Sequence, residues 1–230
     1  MNTNTYHHTY YMNEEPSLPA RPCIFFVEGM DDALFLAKVL ENLEVPKDDA
    51  GIIKFGGLSQ FKEKFSPFIK TTAFTQGLTK SVAIIFDSNK NSAIGKKIII
   101  RHLKDLNIET TPLDSVPLRE YASLYEGIHF GLFSIPVPSE PGTIETLCLK
   151  IVREDAMASA ANEFISNAQK VISNLKGNLD KRKAQVYLAG RAEDLCAGVG
   201  MGCVRGIFDI DHAVVTPLKD FIKSGLQKNI

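Results

Sequence analysis

The chain has 230 residues, 44% of them hydrophobic, and a formal net charge of −1. That length and apolar content suffice for one large domain, or for one compact domain with an appendage, and exclude a chain disordered throughout. The near-neutral balance supplies no global basic field, so any contact with nucleic acid or anionic lipid must be local or mediated by metal.

Residues 1–20 are rich in Asn, Thr, Tyr, His and Glu and predict a flexible tail. Pro22 to Val27 is an apolar run of the fully buried strand type. Asp31 to Leu43 carries Leu34, Phe35, Val39, Leu40 and Leu43 at helical spacing. Gly51 to Phe55 reads as a second strand, closed by Gly56-Gly57. Ser59 is placed to cap a helix from Gln60 to Lys70, with Phe61, Phe65, Phe68 and Ile69 inward. Ser81 to Phe86 is the third strand, and Ala93 to Leu106 a helix with Ile94, Ile98, Leu103 and Leu106 as its stripe. Gly127 to Val137 contains a fourth strand. This alternation predicts an α/β fold, a mostly parallel sheet flanked by helices.

After Pro141-Gly142 the texture changes. Helices are expected over Ile144 to Arg153, Asp155 to Leu175 and Lys181 to Cys196, and again from Thr216-Pro217 to Leu226. Gly198, Gly200, Gly202 and Gly206 are expected to break regular structure between them. The organisation read from the chain is a tail (1–20), an α/β core (21–140) and a helical C-terminal extension (141–230) packed on that core.

Two strands end in acid. Ile24 to Asp32 reads Ile-Phe-Phe-Val-Glu-Gly-Met-Asp-Asp, and Ile84 to Asn89 reads Ile-Ile-Phe-Asp-Ser-Asn. Carboxylates at the C-terminal ends of strands in one parallel sheet converge on the crevice where such sheets place ligands. Several meeting there repel each other and invite a divalent cation.

These residues resemble a Toprim domain, the α/β module shared by primases, topoisomerases, RNase M5-type maturases and OLD-type nucleases. The first motif stands as Val27-Glu28-Gly29-Met30-Asp31-Asp32 and the second as Asp87-Ser88-Asn89. Over residues 21–225 the chain also resembles small bacterial and archaeal Toprim-like proteins of unknown function, in which a Gly-Thr-x-Glu segment, here Gly142 to Glu145, follows the core. The resemblance implies Glu28 as general acid/base, Asp87, Asn89, Asp32 and Glu145 around Mg²⁺ or Mn²⁺, and nuclease chemistry on nucleic acid. Asn89 stands where the second aspartate of Asp-x-Asp is expected, and an uncharged ligand weakens metal affinity. Hence the rival expectations: a decayed site that binds nucleic acid or nucleotide without turnover, or an interaction protein docking an ATPase or nuclease partner. The chain has no P-loop of its own.

Other features have blander readings. Asp31 suits helix capping. Asp209, Asp211 and His212 lie just ahead of a helix and read as loop and capping residues before they read as a metal trio. Gly198-x-Gly-x-Gly202 follows no clear strand and reads as close packing, not dinucleotide binding. Cys196, Cys203 and His212 match no familiar zinc spacing, and His7-His8 is too sparse to define a metal site. The four cysteines form no C-x-x-C pair, the first 20 residues lack a signal-like apolar stretch, and no apolar run reaches membrane length. The expectation is cytoplasmic, with reduced thiols. Lys96, Lys97 and Arg101 on one helix, and Lys181, Arg182 and Lys183 opening another, are the candidates for phosphate-backbone contacts.

Overall fold

The computed structural model describes residues 10, 20–138, 140–172, 177–192 and 198–228. Its first half runs β1 (Cys23–Val27), α1 (Met30–Asn42), β2 (Ala50–Lys54), α2 (Phe61–Phe68), α3 (Thr72–Thr75), β3 (Ser81–Asp87), α4 (Ser92–Lys104), α5 (Thr111–Ser115), β4 (Tyr121–Tyr125) and β5 (Ile128–Ile135). The second half is helical: α6 (Ile144–Ile151), α7 (Ala156–Val171), α8 (Leu179–Arg191), α9 (Val199–Val204) and α10 (Thr216–Gln227). Among the described residues no helix is long and apolar enough to cross a membrane.

The five strands form one sheet in the order β2-β1-β3-β5-β4. The first four are parallel, and β4 pairs antiparallel with β5 at the edge. Every residue of β1 is buried, which explains its unbroken apolar run: helices cover both faces of the sheet. Side chains alternate between the faces. Phe25, Val27, Ala83, Ile85 and Phe133 share one core with residues of α1 and of α6 to α10. Ile24, Phe26, Val82, Ile84, Phe130 and Leu132 face the other, under α2 to α5. There Phe26 meets Phe61, Phe65 and Phe68 edge-to-face at 5.0–6.2 Å, contacts worth about 0.5–1.5 kcal/mol each beyond area burial.

Several local expectations are corrected. Edge strand β4 and the short helices α3 and α5 were not legible as periodic segments. Ser59 makes no cap bond, and α2 begins at Phe61 behind Gln60. Ile94 is 57% exposed, and the inward face of α4 is Gly95, Ile99, Ile100 and Leu103. The rotation follows from close approach: a Cβ on Gly95 would stand 2.4 Å from the Phe86 ring, so the helix seats on its glycine. Residues 199–204 form α9 where broken structure was expected. Within the predicted tail, Tyr10 is buried, donates its hydroxyl to the Val45 carbonyl at 2.7 Å and accepts the Ile52 N–H of edge strand β2 at 2.8 Å. His7 and His8, like the predicted ends of α7 (173–175) and α8 (193–196), lie outside the described residues.

Candidate active site

The chain leaves β1 to form β2 on one side and then crosses to β3 on the other. The connection through α1 lies on one face and that through α2 on the opposite face, so a crevice opens between the C-terminal ends of β1 and β3. Glu28 directly follows β1, and Asp87 is the last residue of β3. Strand register pairs Val27 with Ile85, which sets the two acids side by side. Glu28 Oε1 accepts the Asp87 N–H at 2.8 Å. Asp87 Oδ1 accepts the N–H of Ile144, the first residue of α6, at 3.1 Å.

Three more carboxylates approach from helix starts. Asp32, third in α1 and buried, accepts the Gly29 N–H through Oδ2 at 2.9 Å, reaching back as the N3 residue of a capping box does. Glu145, second in α6 and buried, accepts the Thr143 hydroxyl at 2.6 Å and stands 3.7 Å from Lys181 Nζ. Asp31 accepts the Gly200 N–H in the first turn of α9 at 3.0 Å. Asn178 caps α8 with its side-chain oxygen, and its Nδ2 donates to Thr143 Oγ1 at 3.2 Å, while Thr146 donates to Asp180 at 2.7 Å. These bonds place Lys181 over Glu145.

Glu28, Asp31, Asp32, Asp87 and Glu145 line one cavity of about 580 Å³, and Lys181 is the only cation among its described lining residues. Burial pushes the Glu28, Asp31, Asp32 and Asp87 carboxyls above the usual range. For Asp32, repulsion from Glu28 adds the next largest share. For Asp87 it comes from Asp32, then Glu28 and Glu145. The backbone N–H bonds pull each value part of the way back. The crevice therefore concentrates negative charge that protein cations leave largely uncompensated.

Hydrogen bonds leave Glu28 Oε2, Asp32 Oδ1 and Asp87 Oδ2 without a protein partner among the described residues. Hard carboxylate oxygens are the donors that Mg²⁺ and Mn²⁺ prefer. Among the described residues no three His, Cys, Asp or Glu side chains stand close enough to chelate an ion by themselves. A cation that keeps several waters and takes only one or two carboxylates with substrate oxygens fits this arrangement; a cage made wholly of protein does not.

The other expected residues fall elsewhere. Asn89 is exposed at φ 48°, exchanges two backbone hydrogen bonds with Gly142, and donates its amide to the Asp87 carbonyl at 3.4 Å. It forms an isolated antiparallel bridge with Gly142 and does not line the cavity. Lys96 donates to the Val116 and Asp114 carbonyls at 2.8 and 3.2 Å, holding the segment after α5. Lys97 and Arg101 are exposed on α4, over the other face of the sheet, and Lys183 stands 3.8 Å from Asp180. Arg182 is exposed.

Asp209 accepts the Asp211 N–H, His212 accepts the Val214 N–H, and Lys219 bridges Asp211 and Asn42 at 2.6 Å to each. Gly198 and Gly200 are a packing seam: a Cβ on either would stand within 2.4–2.6 Å of Asp31. Cys23, Cys148 and Cys203 are free and buried, and Cys196 lies outside the described residues. Asp31 was assigned to capping its own helix; it holds α9 instead and joins the cavity. No local signal could reveal that, because its partner is 169 residues away.

The chain matches the family model described as "Protein of unknown function (DUF3226)" over residues 22–227 and belongs to that family. No curated protein matches it. Among solved structures, it is similar to the C-terminal region of the Xanthomonas campestris pv. campestris OLD protein, with 14% identity and a TM-score of 0.39 over 91% of this chain and 94% of that one. It is similar also to the C-terminal region of the Burkholderia pseudomallei OLD protein, with 16% identity and a TM-score of 0.38 over 91% and 97%.

Proposed function

We propose that this protein is a Toprim-type phosphodiesterase that hydrolyses nucleic acid with the help of Mg²⁺ or Mn²⁺. The observation that carries the reading is the convergence of Glu28, Asp32, Asp87 and Glu145 on one cavity at the β1/β3 switch point. Crowding these carboxylates together with one neighbouring lysine, so that Glu28, Asp32 and Asp87 have raised proton affinity, is costly to the fold, which favours a role that uses its charge.

In this reading Asp87 and Asp32 hold the ion through their unpartnered oxygens, with Glu145 alongside. The bound ion would neutralise charge on the phosphate and lower the pKa of a water. Glu28 is fixed by the Asp87 N–H through one oxygen and keeps the other for proton transfer. Its raised proton affinity brings it closer to the neutral range, where an acid/base works best. Lys181, 58% exposed at its side chain, meets the incoming phosphate backbone.

The test is turnover of single- and double-stranded DNA and RNA by purified protein with Mg²⁺ or Mn²⁺. Glu28→Gln and Asp87→Ala should each abolish it, and cleavage that survives both changes refutes the assignment. A second reading, a module that binds nucleic acid without cleaving it, is favoured by the position of Asn89 outside the cavity. Metal-dependent binding with no product in any of these assays would select it.

A further inference from the structure

The carboxylates account for only part of the cavity. Met30 and Leu34, one turn apart on α1, and Met201 on α9 line it as well. Leu34 and Met201 belong to neither of the two cores, although Leu34 is buried. Met30 also packs against the first core, but core packing does not explain why Leu34 and Met201 sit beside the acids. The volume, about 580 Å³, falls in the range of small-molecule sites and is larger than a phosphate and a hydrated ion require.

Resting on the phosphodiesterase reading, we propose that Met30, Leu34 and Met201 form a subsite for one unstacked nucleobase of the strand whose phosphate lies at Asp87. Thioethers are flexible and polarisable, and they make favourable contacts with aromatic rings. A base has such a face whatever its identity, so the subsite selects nucleotides over bare phosphodiesters without reading sequence. It also implies a single-stranded or locally opened substrate, because a base inside a duplex is not free to enter.

The experiment uses the full chain with ¹³C-labelled methionine methyl groups, titrated with thymidine 5′-monophosphate or ribose 5-phosphate in Mg²⁺. The chain has five methionines, so the methyl spectrum is simple. Met30→Leu and Met201→Leu assign the two signals, and Met157, packed against Gly190, serves as an internal control. The nucleotide should move the Met30 and Met201 methyls upfield through its ring current and leave Met157 in place. Ribose 5-phosphate should not produce that shift. Met201→Ala should weaken the nucleotide about fivefold and leave ribose 5-phosphate unchanged. Equal binding of the two compounds with still methyl signals overturns the subsite while sparing the metal-and-phosphate reading. Absence of nucleotide binding overturns it too. A nucleotide shift that persists in Asp87→Asn without Mg²⁺ keeps the base subsite and removes the metal from it.

Discussion

Asp87→Asn tests the electrostatics of the crevice without disturbing its geometry. Asparagine is nearly isosteric and keeps an oxygen to accept the Ile144 N–H. The native carboxyl faces Asp32, Glu28 and Glu145, which together with burial raise its proton affinity above that of the unfolded chain. A group of this kind contributes its full stability below the unfolded pKa of about 3.9, and that contribution is lost as pH rises through the raised folded value. Burial and the acidic neighbours push this carboxyl up to about 9, so at pH 8 it costs the fold free energy, either as repulsion when ionised or as proton uptake when neutral. Like charges held close together repel by a few kcal/mol at an effective dielectric of about 20. Solvent access to the cavity and residual protonation reduce this, and we expect a net gain of about 1–2 kcal/mol on removing the charge. For a chain of this size that is roughly 3–6 °C in Tm. Calorimetric or circular-dichroism melts across pH 4 to 8.5 should show Asp87→Asn more stable than wild type at pH 8, with the gap closing toward pH 4. Mg²⁺ should stabilise the wild type at pH 8 by about 2.7 kcal/mol at a hundredfold excess over its Kd, raising its Tm, and leave the variant unmoved. A variant no more stable than wild type at pH 8 would refute the argument that the acids repel one another across the crevice.

Four further outcomes are expected. Gly200→Ala places a Cβ 2.6 Å from the Asp31 carbonyl oxygen, and since the obstruction is backbone it should cost about 1–3 kcal/mol in urea unfolding. Lys181→Ala should weaken nucleic-acid binding and reduce the slope of log K against log salt by about 1, read by fluorescence anisotropy at several salt concentrations. Asn89→Asp adds a charge outside the cavity, so Mn²⁺ affinity by titration calorimetry should change less than about twofold; a large gain would put position 89 in the ion's shell. Tyr10→Phe removes the hydroxyl that meets the Val45 carbonyl and should cost about 1 kcal/mol, with faster exchange of the Ile52 amide if the segment loosens.

The features legible in the chain were local. Apolar runs closed by acid marked β1 and β3, helical spacing marked α1 and α2, and both are readable because side-chain period follows backbone geometry. Glu28 and Asp87 could be assigned to strand ends on that basis alone. Where periodicity is short or mixed the reading failed: β4 is a partly exposed edge strand, and the face of α4 was set by the fit of Gly95 on Phe86. Tertiary structure decided the rest. Strand order made β1 and β3 neighbours, so two acids 59 residues apart share a hydrogen bond. The docking of α9 on α1, and of α6 and α8 on each other and on α9, brought in Asp31, Glu145 and Lys181, while Asn89, bridged to Gly142 at a left-handed φ, does not line the crevice. Secondary structure answers to neighbours three or four positions away; a site built from six elements answers to the packing of the whole sheet, which no local pattern contains.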